Sequence, residues 1–281
     1  MEGKTAISCE FFPPRTEAGL NALTEVCKSL GRLNPEFYSV TYGASGSEQN
    51  NTKDALLKMR EATAIDSAPH ITCVGSSKSK IAALLDDYQA QGISRLVALR
   101  GDLPADNKDL GEFTYAADLI EFIRQHSGDH FHLEVACYPE THPEAKTPGT
   151  DLSHFMEKIN KGANSAITQY FFNPDAFFDF MDNVNKKGVD IPVIPGIMPI
   201  TNYKGLTRFS DACGAEIPRW IRLKLEQYQD DEVSLNQFGA DVVTALCDKL
   251  LAGGAPGLHF YTMNKADPTL KIWDNLNLQK A

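Results

Sequence analysis

Several familiar signatures are missing from this chain, and each absence removes a class of function. There is no GxGxxG and no GxxxxGK, so neither the fingerprint turn of an open dinucleotide-binding sheet nor a P-loop is present to hold phosphate. The six cysteines, at positions 9, 27, 73, 137, 213 and 247, form no CxxC pair and no metal-ligand spacing. They read as reduced, mostly buried thiols of a cytoplasmic protein, and no metal is expected. No apolar run approaches the ~20 residues that span a bilayer, and the N-terminus reaches Glu10, Pro13 and Pro14 before a signal-peptide core could form, so neither a membrane partner nor secretion is expected. Basic residues are in deficit, 27 Lys and Arg against 37 Asp and Glu for a net charge of -10. That balance argues against nucleic acid or an anionic membrane surface as the main partner.

What is present is a repeating pattern. Short apolar runs rich in β-branched and aromatic residues alternate with helical periodicity, as in βα units around a parallel sheet. Strands are predicted near 5–12, 37–43, 68–74, 95–101, 132–139, 166–172, 193–199 and 257–264. Helices are predicted over 17–33, 52–66, 78–91, 115–126, 151–161 and 175–187, with more than one between 203 and 251 and a last one over 268–276. Eight such strands predict an α/β fold of the (β/α)8 TIM-barrel type. With 42% hydrophobic residues the chain could fill two ordinary domains or one barrel, and no Pro- or Ser-rich linker divides it, so residues 1–281 are read as a single domain.

Barrels of this type carry their chemistry at the C-terminal strand ends. The first strand puts Glu10 in the apolar run Ser8-Cys9-Glu10-Phe11-Phe12, which stops at Pro13-Pro14. A carboxylate there is costly unless paired or neutralised. It is either an acid with a raised pKa able to donate a proton near neutrality, or a glutamate on the wet face of an edge strand. Later strand ends add Thr41-Tyr42-Gly43-Ala44-Ser45-Gly46, His70 with Thr72, Arg100-Gly101-Asp102, the segment from Tyr138 to Glu144, Gln169, and Asn264-Lys265. Singly these have ordinary explanations: an Arg100–Asp102 ion pair, a structural His70, a plain turn from Gly43 to Ser47, a solvated Lys158. Small residues from Gly43 to Ser47 would also suit close approach to phosphate. Polar groups converging from six or more strand ends describe a ligand site.

In this order, the segments Glu10-Phe11-Phe12-Pro13-Pro14-Arg15, Ser39-Val40-Thr41-Tyr42-Gly43-Ala44, Pro69-His70, Leu99-Arg100-Gly101-Asp102, Tyr138-Pro139-Glu140, His142-Pro143, Ile167-Thr168-Gln169, Pro195-Gly196-Ile197-Met198-Pro199 and His259-Phe260-Tyr261-Thr262 resemble the methylenetetrahydrofolate reductases from first strand to last. The resemblance implies a barrel that binds FAD non-covalently. It takes hydride from NADH or NADPH and passes it, by a ping-pong route, to 5,10-methylenetetrahydrofolate, giving 5-methyltetrahydrofolate for one-carbon metabolism and methionine supply. By position, Thr41, Tyr42, Ala44, His70, Arg100, Gly101, Asp102, Ala116, Tyr138, His142, Asp151 and Lys158 would line the FAD. Arg100, His142 and Lys158 have the charge or donors for phosphate or ribose.

Glu10 and Asp102 would be catalytic, with Gln169, Phe209 and Lys265 joining them at the folate. Glu10 would supply the proton that opens the five-membered ring, its pKa rising as substrate excludes water. Asp102 would lower the flavin's reduction potential and stabilise the cationic iminium. Asp102 and Gln169 together would match the pterin's donors and acceptors. Phe209 would pack on the ligand, and Lys265, where some relatives carry arginine, would suit the glutamate tail. The resemblance also implies a homo-oligomer. His154, Glu157 and Gly205 depart from the family pattern, and no contact is assigned to them. The chain ends shortly after the barrel, so the regulatory domain of eukaryotic relatives and inhibition by S-adenosylmethionine are not expected. Other readings are a flavin barrel acting on a different substrate, as in proline dehydrogenase; a Schiff-base aldolase, for which only Lys265 lies near a strand end; and a non-enzymatic flavin carrier, which would leave Glu10 without a purpose.

Overall fold

The computed structural model describes residues 5–42, 46–102, 111–276 and 278, with the backbone alone for 46–50. The strands are β1 (Ala6–Phe11), β2 (Phe37–Val40), β3 (Asp66–Thr72), β4 (Arg95–Leu99), β5 (His132–Cys137), β6 (Ser165–Thr168), β7 (Val193–Ile194), β8 (Gly196–Ile197) and β9 (Gly257–Tyr261). All pair in parallel, in the order β7-β6-β5-β4-β3-β2-β1-β9-β8. The two ends of that order, β7 and β8, are consecutive in the chain, so the sheet closes into a TIM-like barrel.

The single strand predicted over 193–199 is therefore two short ones. Pro195 has no N–H to give to a ladder and separates them, although its carbonyl still accepts from the His259 amide at 3.0 Å. β7 pairs with β6 and β8 pairs with β9. Gly196 sits at this junction for want of space: a Cβ there would lie 2.2 Å from the Thr168 carbonyl and 2.6 Å from the Tyr261 ring.

The helices are α1 (Glu17–Leu30), α2 (Gly46–Thr63), α3 (Lys78–Ala90), α4 (Ala116–Ser127), α5 (Pro148–Asn160), α6 (Pro174–Lys186), α7 (Tyr203–Cys213), α8 (Arg219–Gln227), α9 (Glu232–Ala252) and α10 (Asp267–Leu276). Local chemistry starts many of them. Thr16, Ser77, Thr147, Asn173, Asn202 and Asp231 each accept a first-turn amide on their side chain, and Pro148 and Pro174 stand where the N–H would be unused anyway. α2 begins earlier than the predicted residue 52, so from Gly46 onward the expected phosphate-binding turn is helix. Gly43, Ala44 and Ser45 lie outside the described residues.

Alternation along each strand sorts side chains between two interiors. One set faces the helix layer: Cys9, Phe11, Tyr38, Val40, Ile71, Leu96 and Val135 are all fully buried. Tyr38 also donates its hydroxyl to the Cys27 carbonyl of α1 at 2.7 Å. The other set faces the barrel axis. Halfway along it, Phe37, Ala68, Val97 and Ile167 form a small apolar plug with Leu99 and Tyr261 packed against it. The plug separates two polar regions. On the side of the N-terminal strand ends, Glu134 pairs with Arg95, accepts from Ser165 Oγ at 2.5 Å and lies 3.3 Å from His132 Nε2, which in turn is 2.6 Å from Ser165 Oγ. At the C-terminal strand ends the barrel opens.

Candidate active site

A cavity of about 870 Å³ occupies that open end. Inward-facing positions of the strands form its floor and walls, among them Glu10, His70, Thr72, Gln169 and Tyr261, and the loops after β3, β4 and β5 form its rim. Apolar surface from Leu99, Ile167, Met198 and Phe209 faces these polar groups across the cavity.

Glu10 is at the floor, its side chain 14% exposed. His70 Nε2 lies 3.2 Å and His259 Nε2 3.6 Å from its Oε2. Both Nε2 atoms are buried and make no aligned hydrogen bond, so the contacts are close but not directed. Ser8 Oγ stands 2.7 Å from His259 Nδ1 and orients that ring from behind. Burial raises the Glu10 pKa, but the nearby His70 and His259 imidazoles outweigh it and bring the carboxyl down to about 2. This is the opposite of the raised pKa expected for Glu10 in its apolar run: Phe11 faces the helix layer, and Glu10 faces the barrel axis beside histidines from other strands. The wet edge-strand alternative fails too, because β1 lies between β2 and β9.

At the rim, Arg100 does not pair with Asp102. Its guanidinium grips Glu144 with two nitrogens, Nη1–Oε2 at 2.8 Å and Nη2–Oε1 at 3.0 Å. Gly101 follows with φ of +88°, and a Cβ would meet Val74 at 2.9 Å, so the strand can turn outward to Asp102 only through a glycine. His142 and Tyr138 meet edge to face with centroids 4.6 Å apart, and Asp151 holds this loop by accepting the His142 amide at 3.0 Å. Gln169 Oε1 accepts from the Tyr170 amide at 3.0 Å, leaving its NH2 end as the free donor. Phe209, on α7, carries Arg208 over its ring at 5.3 Å.

Of the residues expected in the site, Glu10, Thr41, Tyr42, His70, Arg100, Gly101, Asp102, Tyr138, His142, Gln169 and Phe209 line this one cavity. Ala116, Asp151, Lys158 and Lys265 are not among the lining residues, and Ala44 lies outside the described ones. Ala116 opens α4. Lys158 turns its ammonium onto the Ala136 carbonyl and above the Phe155 ring, where desolvation lowers its pKa. That replaces the solvated-lysine alternative with a lysine drawn into the barrel wall. Lys265 is exposed beyond β9. Sequence reasoning assigned no role to His259, Tyr261, Glu144 or Lys80, although the first three fall in segments it singled out. The first two carried a usable signal, since they alternate along the predicted last strand and end up facing the barrel axis beside Glu10. Tyr261 donates its hydroxyl to the Thr168 carbonyl at 2.7 Å, and burial raises its pKa.

The donor set fits FAD in kind. Arg100 and His142 can meet phosphate or ribose oxygens, Lys80 adds a cation at the rim, and the apolar walls suit a flat ring system. No group of three or more His, Cys, Asp or Glu among the described residues is placed to hold a metal.

The family model for methylenetetrahydrofolate reductase matches residues 1–277. This chain belongs to the methylenetetrahydrofolate reductase family, whose members are oxidoreductases. It is 36% identical to 5,10-methylenetetrahydrofolate reductase of Pectobacterium carotovorum over 99% of this chain and 92% of that one. It is 35% identical to the protein of the same name from Escherichia coli, over 99% and 93%. Against methylenetetrahydrofolate reductase (NADH) 1 of Arabidopsis thaliana the identity is 36%, over 99% of this chain and 49% of the plant protein. Among solved structures, a Clostridium thermocellum protein that binds two copies of 5-methyl-5,6,7,8-tetrahydrofolic acid superposes with a TM-score of 0.67 at 18% identity, covering 99% of this chain and 96% of that one. At that identity the likeness is one of fold.

Proposed function

We propose that this chain reduces 5,10-methylenetetrahydrofolate to 5-methyltetrahydrofolate in the cytoplasm, with NADH or NADPH as donor, as one FAD-binding catalytic domain spanning 1–281 that assembles as a homo-oligomer. The observation that carries the reading is the buried carboxylate at the floor of the cavity, Glu10 Oε2, 3.2 Å from His70 Nε2. Bound FAD would supply a two-electron carrier, taking hydride from the nicotinamide and giving it to the folate in a ping-pong sequence. The plant relatives named for NADH support NADH as the donor.

The chain's own residues have the complementary task of moving a proton. The one-carbon unit of the substrate bridges two nitrogens, and hydride cannot enter until protonation releases one of them and leaves an iminium cation. Glu10, whose Oε2 stands 3.2 Å from His70 Nε2, is the carboxyl that would hand over this proton. A departing nitrogen at the cavity floor would draw the proton through Glu10 Oε2. The two imidazoles lower the carboxyl pKa, whereas burial acts in the opposite sense and favours the protonated acid. A ligand that fills the cavity and excludes water moves Glu10 toward that protonated form.

Asp102 stands at the rim as a carboxylate able to stabilise the iminium, and Gln169 offers its free NH2 to a pterin edge. Phe209 supplies a flat apolar face. Arg100 would meet diphosphate oxygens after exchanging Glu144 for them, with His142 nearby. Thr41, Tyr42, Ala44, Gly101, Ala116, Tyr138 and Asp151 would complete the FAD surface, and Lys158 would act from behind the wall by fixing the end of β5. Lys265 would reach the glutamate tail from outside the cavity.

The test is an anaerobic spectrum of the protein loaded with FAD. Bleaching by NADH or NADPH and recovery on adding methylenetetrahydrofolate is expected. A flavin that bleaches but is not reoxidised by the folate would remove the substrate assignment, and a chain that cannot be reconstituted with FAD would remove the whole reading.

A further inference from the structure

The last strand leaves the sheet by an indirect route. The β1–β9 ladder ends with Glu10 opposite Tyr261, and the Thr262 amide still donates to the Glu10 carbonyl at 3.3 Å. One more step of a parallel ladder would give the Phe12 amide to the Thr262 carbonyl and the Asn264 amide to the Phe12 carbonyl. Neither bond forms. The Thr262 carbonyl accepts from the Lys265 amide at 3.0 Å, and the Asn264 amide donates to Thr262 Oγ1 at 3.2 Å. Met263 and Asn264 turn the chain away with φ of +52° and +56°, a left-handed pair without a glycine.

The Asn264 side chain stands in for the missing strand. Its Oδ1 accepts from the Phe12 amide and its Nδ2 donates to the Phe12 carbonyl, both at 2.9 Å. Thr262 Oγ1 donates to the Glu10 carbonyl at 2.7 Å, so Thr262 and Asn264 hold β1 at alternate positions. After Phe12 come Pro13 and Pro14, which have no N–H for any further ladder. The chain therefore accepts two left-handed residues and turns Met263 into the cavity wall, while Phe12 keeps its strand pose.

The clamp holds a ring at the cavity. Phe12 is 41% exposed, and of the exposed large apolar side chains among the described residues it alone lines the cavity. It lies two residues beyond Glu10 on the same face of β1, about 7 Å nearer the mouth. A flat apolar group at that distance from the proton donor suits a ring of the molecule whose nitrogen Glu10 would protonate. We propose that Asn264 is a positioning residue for the folate: by clamping both backbone groups of Phe12, it fixes that side chain as a platform on which a ring of the bound folate packs. This role rests on the reductase reading of the cavity.

Stopped-flow reoxidation of the reduced, FAD-loaded protein across a range of methylenetetrahydrofolate concentrations tests this. Asn264→Gly is the informative variant, because glycine accepts φ of +56° without strain and so removes the clamp but keeps the turn. It is expected to raise the half-saturating folate concentration about tenfold, with the limiting rate within about twofold of wild type, since a platform binds ground state and transition state alike. Phe12→Leu should give about the same shift, and the double variant no more than Phe12→Leu alone, because Asn264 acts through that ring. FAD affinity and reduction by nicotinamide should be unchanged. With wild type competent, the proposal is overturned if Asn264→Gly leaves the half-saturating concentration unchanged, if the two shifts multiply in the double variant, or if FAD affinity falls with either variant. A wild type that the folate does not reoxidise would remove the functional reading, and this role with it.

Discussion

The two ends of this barrel are built from the same kinds of residue and behave differently. At the N-terminal end, Glu134, His132, Ser165 and Arg95 close on one another: the carboxylate has an arginine, a hydroxyl and an imidazole, and none of the four lines the large cavity. At the C-terminal end, Glu10, His70, His259 and Ser8 repeat the chemistry, yet two imidazole nitrogens lack aligned partners and the group faces about 870 Å³ of open space. In both clusters burial raises the carboxylate pKa and the partners lower it further than burial raises it. A buried charge is therefore not by itself a site. The mark of a site is a buried charge whose partners leave donors unused toward a space that a ligand can fill.

The contrast can be broken at either end, and the largest effect is expected at the open one. Glu10→Gln should slow folate-dependent reoxidation of the flavin by at least about 100-fold while FAD binding and reduction by nicotinamide persist, as stopped-flow absorbance would separate. Loss of both half-reactions together would make Glu10 a structural residue like Glu134. At the closed end, Arg95→Ala should cost about 3 kcal/mol of stability. That is the low end for stranding a buried carboxylate, because Arg95 is itself 23% exposed, and it corresponds to a melting temperature lower by roughly 5 °C. Turnover by the folded fraction should be unchanged, and a lost folate half-reaction would mean that the apolar plug does not insulate the two clusters.

A smaller effect is expected at the rim. Glu144 occupies the two guanidinium nitrogens that a phosphate would use, so Glu144→Gln should tighten FAD binding by about 3- to 10-fold at low salt in a fluorescence titration. Weaker binding would instead make Glu144 the residue that aims Arg100. The smallest effect concerns acid stability. The Glu10 carboxyl titrates in the folded protein at about 2, below its ordinary value of 4.5, so its ionisation stabilises the fold above pH 4.5 and that contribution is lost as pH falls toward 2. The difference in melting temperature between wild type and Glu10→Gln should shrink across that window, and a constant difference would show that the two imidazoles do not hold the carboxylate ionised.

The barrel was legible in the sequence because its signals are local. Strand and helix periodicity, the proline-led helix starts and the polar residues beyond each apolar run depend on neighbours a few positions apart, and they bring eleven of the expected residues to one cavity. Family membership was legible for the same reason, through short segments kept in order along the chain. Tertiary structure alone decided what those residues meet. His259 reaches Glu10 across 249 positions and Arg100 finds Glu144 rather than Asp102. Lys158 turns to a backbone carbonyl, and a strand predicted as continuous divides at Pro195 to close the ring. The protonation of Glu10 belongs to this second group. A pKa is set by charges within a few ångströms in space, and in a barrel those charges come from different strands, so the residue that sequence identified as the acid acquired its actual electrostatics only when the first strand was laid beside the last.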